Sequence, residues 1–345
     1  MNPITLLCAG AAPDADPAGA LRLPPGSALQ RLLAAGRVSH DRQLSGDPLP
    51  ELPEDDWLRA EFGVPAGSAI QAFGGVRHGL TPPWWGLRPC HLHLGIDHAL
   101  LTDPAQLALE PAESAELARS AAAAFEAAGL RLHAPGPEAW YALGAPWDLQ
   151  CWPWTLASGR HVIAYQPAGP AARAWRRLLT EVQMGWHEHP VNQAREQTGR
   201  RPVNALWLDG FVAGPPAAPV RGLLISHCPA LAGLASAAGW QVCAHDQPLP
   251  DWGRDAGPVL VDLDAWRAPR RLGDAHAWRQ AWAEADAWLD GPRWHALRAA
   301  ATGPLRVVLT GERRVLTLAE GTGRRWRWRW WRRFDALAAL AAPAA

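Results

Sequence analysis

Between Leu178 and Gly210 the chain reads LLTEVQMGWHEHPVNQAREQTGRRPVNALWLDG, which sets two asparagines, an arginine and a turn glycine in fixed register. Arginine offers a bidentate fork for phosphate or carboxylate, and asparagine offers a donor and an acceptor together. Asn192, Arg195 and Asn204, with Trp207 beside them, could therefore form a polar floor for an anionic ligand. The same residues could instead serve the fold. On that reading Asn192 and Asn204 cap helices and turns, Arg195 pairs with Glu188 or Glu196, and Trp207 fills a domain interface.

Other groups invite chemistry too. His91 and His93 would share one face of a strand and could bind a metal together with His98, or simply form an exposed polar face, with Cys90 on the opposite side. His187 and His189 sit at a helix end, where the macrodipole favours positive charge. The run Arg324–Arg333, RRWRWRWWRR, alternates so that Trp326, Trp328 and Trp330 fall on one strand face and Arg325, Arg327 and Arg329 on the other. With Val315–Leu318 and a Gly-Thr-Gly turn it reads as a hairpin, although interleaved arginine and aromatic residues can also contact nucleic acid.

These groups need a scaffold. Leu178, Leu179, Val182 and Trp186 follow helical spacing, and His189-Pro190 ends that helix. Asn192 is then expected to cap a second short helix stopping near Gly199, before an apolar strand at Ala205–Leu208. Upstream, a strand at Ile4–Cys8 precedes a helix at Ser27–Ala35, an acidic and proline-rich loop at 40–56 and a turn-dense boundary at Pro82–Pro89. A hairpin at 91–102, a helix at Pro111–Ala128, two strands and the helix Ala171–Glu188 form an α+β module. Beyond Gly210, strands at Leu223–Ser226, Gln241–Ala244, Val259–Leu263 and Arg306–Leu309 alternate with helices at Ala230–Ala238 and Ala275–Asp290, the rhythm of a largely parallel sheet.

Composition narrows the classes. The 33 basic residues, all arginine, balance 33 acidic ones, so no global field draws the chain to nucleic acid or an anionic membrane. Five scattered cysteines suggest neither a disulfide framework nor a zinc ribbon. The N-terminus lacks a signal-peptide pattern and no apolar run is long enough to span a bilayer, so a cytoplasmic protein is expected.

The pattern H-P-V-N-x-x-R-x-x-x-G-x-x-P-V-N-x-x-W resembles the signature of archaeal-type cofactor-independent phosphoglycerate mutases, and more closely that of their proteobacterial relatives, the RpfE-type regulatory proteins. The resemblance implies an alkaline phosphatase-like α/β core, with a mostly parallel sheet flanked by helices and interrupted by an inserted α+β domain. Residues 1–85 and 191–345 would form the core and 86–190 the insert. It also implies two divalent metals, manganese or zinc, at the carboxyl ends of the strands, and a serine that accepts and returns a phosphoryl group. Ser68, in Gly67-Ser68, matches the nucleophile turn, although Ala69 follows where the family has an acid. Asp274 and His276 resemble one ligand segment, with Asp274 alternatively a helix N-cap, and Glu312 stands beside Arg313 where the family has an Asp-His pair. Arginine cannot ligate a metal. Cys8-Ala9-Gly10 replaces the first metal-binding aspartate; Cys8 could bind zinc or be a small core residue.

Departures at three separate segments lead to the expectation of a catalytically degenerate, regulatory or phosphometabolite-binding protein with no cofactor. The alternative is an active manganese- or zinc-dependent mutase or phosphatase with rearranged ligands drawn from Asp14, Ser68, Asp262, Asp264, Asp274, His276 and Glu312.

Overall fold

Ile4–Cys8 is buried at all five positions, as a strand in the middle of a parallel sheet must be. The computed structural model of the protein, which describes residues 2–12, 27–95, 99–217, 221–250 and 257–320, puts it there. The strands among these residues are β1 (Ile4–Cys8), β2 (Gly36–Gln43), β3 (Trp84–Cys90), β4 (Leu92–Leu94), β5 (Ala99–Leu101), β6 (Arg131–His133), β7 (Trp140–Leu143), β8 (Ala205–Val212), β9 (Leu223–Ile225), β10 (Gln241–Cys243), β11 (Val259–Asp262), β12 (Leu305–Thr310) and β13 (Arg314–Glu320).

The chain divides into two compact units. The first comprises Met1–Leu58, Ala218–Cys228 and Ala238–Ala345. Its sheet has seven strands in the order β10-β9-β11-β1-β12-β13-β2. The first five run parallel, and β13 and β2 add antiparallel. This is an α/β architecture with a mostly parallel sheet. Its flanking helices include Ala28–Ala35, begun by the Ser27 hydroxyl accepting from the Gln30 N–H, and Ala275–Leu289, which buries Trp282 and Leu289. All five parallel strands present their carboxyl ends at one edge, where α/β sheets bind ligands.

The second unit, Arg59–Ala217 with Pro229–Ala237, is α+β. Its four-stranded antiparallel sheet has the order β6-β7-β3-β8, and β4 pairs separately with β5. Helices Pro111–Ala127 and Ala172–His187 pack on that sheet around Trp140 and Trp186, whose rings meet edge to face at 5.8 Å.

Several elements differ from the sequence expectation. Of the expected 40–56 loop, residues 44–52 are irregular, while its ends are the last residues of β2 and the start of a helix, Pro53–Phe62. Strand β2 carries no apolar alternation because it is an exposed edge: backbone pairing to β13 holds it, and charged side chains suit an unpaired edge. The proline-dense segment Pro82–Pro89 is largely β3, since burying Trp84, Trp85 and Leu87 outweighs the local turn signal. Strand β8 pairs with β3 and so belongs to the second unit's sheet, whereas the sequence reading assigned 191–345 to the core. Strand β13 pairs with β12 and β2. The Arg/Trp run proposed as its hairpin partner lies outside the described residues.

The helix Pro229–Ala237 passes very close to the short 3-10 helix Ile70–His78. A Cβ on Gly233 would lie 2.0 Å from the Phe73 carbonyl oxygen, so two backbones meet where only glycine fits. Gly233→Ala should destabilise the protein by about 1–3 kcal/mol or more, measured by urea denaturation.

Candidate functional site

The signature segment is built into the second unit. Pro190 starts the helix Pro190–Gln197, and His189 rather than Asn192 is its N-cap, with His189 Nδ1 accepting from the Val191 N–H at 3.2 Å. This corrects the sequence expectation: proline at the first helical position makes the residue before it the cap, upstream of Asn192. Asn192 instead lies inside the helix, 2% exposed. Its amide donates to the Trp186 carbonyl at 2.8 Å and the Val203 carbonyl at 2.9 Å, and its oxygen accepts from the Val203 N–H at 2.8 Å. It thereby satisfies a carbonyl at the end of one helix and both backbone groups of Val203 just before β8.

Arg195 is wholly buried. It pairs with Glu113 at 2.6 Å, not with Glu188 or Glu196, and donates to the Arg201 carbonyl at 2.8 Å and to the Leu107 carbonyl. Glu113 also closes a capping box on helix Pro111–Ala127. Asn204 mimics a strand residue toward Leu92, accepting from its N–H at 2.7 Å and donating to its carbonyl at 2.9 Å. Trp207 Nε1 donates to the Trp152 carbonyl at 2.8 Å. The four residues proposed as a ligand floor thus direct their polar groups at this unit's own backbone and at Glu113. His91 likewise bonds the Pro202 carbonyl at 2.9 Å through Nδ1, and burial holds its pKa below the ordinary histidine value. His98 and Asp14 fall outside the described residues.

Ser68 is buried in the second unit, with Oγ accepting from the Ala213 N–H at 3.0 Å. The three residues proposed as metal ligands belong to the first unit. Asp274 is a helix N-cap: Oδ1 accepts from the N–H groups of His276 and Ala277 at 3.0 and 2.9 Å. The His276 and Glu312 side chains are exposed.

A different cluster occupies the carboxyl ends of the first unit's strands. Asp262, at the end of β11, is completely buried. Its Oδ2 accepts from Ser226 Oγ at 2.7 Å and from Arg267 Nη1 at 2.8 Å. Arg267 Nε lies 4.0 Å from Glu54 Oε1, and Glu54 Oε2 accepts from Thr310 Oγ1 at 3.1 Å at the end of β12. His245 Nε2 is 2.7 Å from the Asp262 carbonyl oxygen, and the rings of His227 and His245 are 5.2 Å apart. Burial, reinforced by Asp262, raises the Asp264 carboxyl above its usual range, while Arg267 opposes the rise. Burial also pushes the Cys8 thiol up, with Asp262 adding to the effect, so Cys8 carries its proton and is a core residue. Burial alone would lower the Arg267 pKa, but Asp262, Cys228 and Glu54 together raise it, so the guanidinium stays charged.

The alternative reading had singled out Asp262 and Asp264, and the structure brings them together at one sheet edge. Sequence reasoning missed Glu54, Ser226, His245 and Arg267. Strand-end position was the available signal for Ser226 and His245, and nothing local marked Glu54 or Arg267.

The donor set does not match a two-metal centre. Among the described residues no three His, Cys, Asp or Glu side chains are arranged to hold an ion. Asp262 is committed to an arginine and a serine, Asp274 to a helix end, and Cys8 to the core.

No family model matches the chain. A 2,3-bisphosphoglycerate-independent phosphoglycerate mutase of Methanosarcina barkeri (strain Fusaro / DSM 804) is 29% identical over 106 residues, which are 29% of this chain and 26% of that protein. The match thus spans about a quarter of the relative's length. Among solved structures, the PH0037 protein from Pyrococcus horikoshii is similar in fold, with a TM-score of 0.51 and 14% identity over 93% of this chain and 88% of that one. The cofactor-independent phosphoglycerate mutase from Thermoplasma acidophilum DSM 1728 aligns over 98% of this chain and 94% of its own at 14% identity, with a TM-score of 0.46. The likeness to a phosphoglycerate mutase thus lies in a stretch of 106 residues, and the likeness to the Pyrococcus protein is one of fold. Among the described residues no helix is long and apolar enough to cross a membrane.

If the signature serves the fold, Arg195→Met should cost about 3–5 kcal/mol in urea denaturation, because Glu113 would lose its main buried partner. Asp274→Ala should cost about 0.5–2 kcal/mol, the value of a helix cap, and leave manganese uptake unchanged in calorimetric titration.

Proposed function

We propose that the chain is a catalytically degenerate phosphoglycerate mutase-like protein of the RpfE-type regulatory kind, acting in a bacterial cytoplasm by binding rather than by turnover. The observation that carries this reading is the Asp262–Arg267 ion pair at the strand ends, 2.8 Å long and fully buried on the carboxylate side. Two-metal phosphoryl transfer needs carboxylates and imidazoles free to coordinate and a nucleophile whose proton can leave. Here a guanidinium already neutralises the most buried carboxylate of that edge. The match to a known mutase over 106 residues supports descent from an enzyme.

A phosphorylated small metabolite is the ligand class that the resemblance implies. Asn192, Arg195, Asn204 and Trp207 are not assigned to it, because their polar groups already bond the fold around them.

Purified protein incubated with manganese and 3-phosphoglycerate, followed by phosphorus NMR, is expected to form no 2-phosphoglycerate above the uncatalysed background. Turnover that requires the metal and disappears in Ser68→Ala would falsify the degenerate reading and favour the rearranged enzyme.

A further inference from the structure

The strand-end edge of the first unit collects acidic groups from distant segments. Asp262 and Asp264 leave β11, and Glu54 comes from the helix Pro53–Phe62. Glu54 and Asp262 are each less than one-tenth exposed, where an uncompensated carboxylate is costly. Charge of this density needs a cation. Arg267 reaches it from the first turn of the helix Arg267–Leu272, with Nη1 on Asp262 at 2.8 Å and Nε 4.0 Å from Glu54. Its side chain is 20% exposed, so the guanidinium works in a largely dry setting.

The remaining polar groups follow the same arrangement. Ser226 Oγ donates to the oxygen of Asp262 that Arg267 also binds, and the Cys228 N–H donates to Ser226 Oγ at 2.9 Å. Asp262 Oδ1, the other carboxylate oxygen, is buried with no hydrogen-bond partner among the described residues. His245 holds the Asp262 backbone from the next strand but one. Carboxylate oxygens are donors suited to manganese and similar divalent ions, and Asp262 and Glu54 supply two such groups around one guanidinium. The arginine stands among them as a covalently attached cation.

We propose that Arg267 is a built-in counter-ion which takes the electrostatic place of a divalent metal at the β11 carboxylate cluster, and that removing its charge opens the cluster to metal. The inference rests on the reading of the chain as a degenerate mutase relative, and adds which residue keeps the edge metal-free. A side chain that cannot dissociate holds the cluster in one state whatever the metal supply.

The test uses the full chain and manganese alone, read by thermal melting and calorimetric uptake. The unmodified protein is expected to melt at the same temperature with and without manganese. Arg267→Ala should melt several degrees lower, and manganese should recover part of that loss, with uptake at least about tenfold tighter than in the unmodified chain. Arg267→Gln, which keeps much of the volume and some hydrogen bonding, carries the same expectation should the alanine variant not fold. Arg267→Lys should remain indifferent to manganese. Adding Asp262→Asn to either neutral variant should restore stability and abolish the metal response. Neutral Arg267 variants that fold yet ignore manganese would overturn the counter-ion assignment while leaving the proposed function standing. Manganese binding to the unmodified chain that is lost in Asp262→Asn would also overturn it. Mutase turnover by the unmodified chain, in contrast, would sink the functional reading itself.

Discussion

Buried charge must meet buried counter-charge, and each unit of this protein depends on such meetings. In the first, Asp262 and Arg267 pair at the carboxyl ends of the parallel strands. In the second, Arg195 and Glu113 pair among the helices that cover the antiparallel sheet. Removing one partner of such a pair strands the other in a poorly solvated place, so the two residues constrain each other and the elements that carry them. The first pair links β11 to the helix that follows it. The second links the helix Pro190–Gln197 to the helix Pro111–Ala127, and the same guanidinium ties down the Leu107 and Arg201 carbonyls.

The HPVN…PVN signature acquires a physical meaning from this arrangement. Its polar residues close the backbone accounts of a helix end and a strand entry that apolar side chains could not satisfy. Asn192 bonds Trp186 and Val203, and Asn204 bonds both backbone groups of Leu92. That work is structural and independent of whatever the strand ends do. At the strand-end edge of the other unit, Cys8 is packed in the core and Arg267 is bound to Asp262.

Much of the architecture was legible in the linear sequence. Parallel strands with short apolar cores, and helices bounded by Ser27, Pro111 and Asp274, follow from local pattern and capping chemistry. The misread segments share one cause. Strand β2 has no apolar face because it lies at a sheet edge, and β3 hides in a proline-rich stretch because its tryptophans are buried by strands more than 50 residues away. Of the candidate residues, Asp274 announced its role through position alone. Arg195 did not, since its partner Glu113 lies 82 residues upstream.

The sequence by itself determined the α/β class, the order of elements in the second half and the presence of an asparagine- and arginine-bearing signature. These depend on periodicity, capping and proline, which act over a few residues. Only the tertiary structure decided what the signature bonds, that Asp262 rather than Asp274 lies at the charged strand edge, and that Glu54 and Arg267 join it there. Electrostatic compensation is set by distance in space: Asp262 and Arg267 are five residues apart, but Glu113 answers Arg195 from 82 residues upstream and Glu54 reaches Arg267 from the first part of the chain.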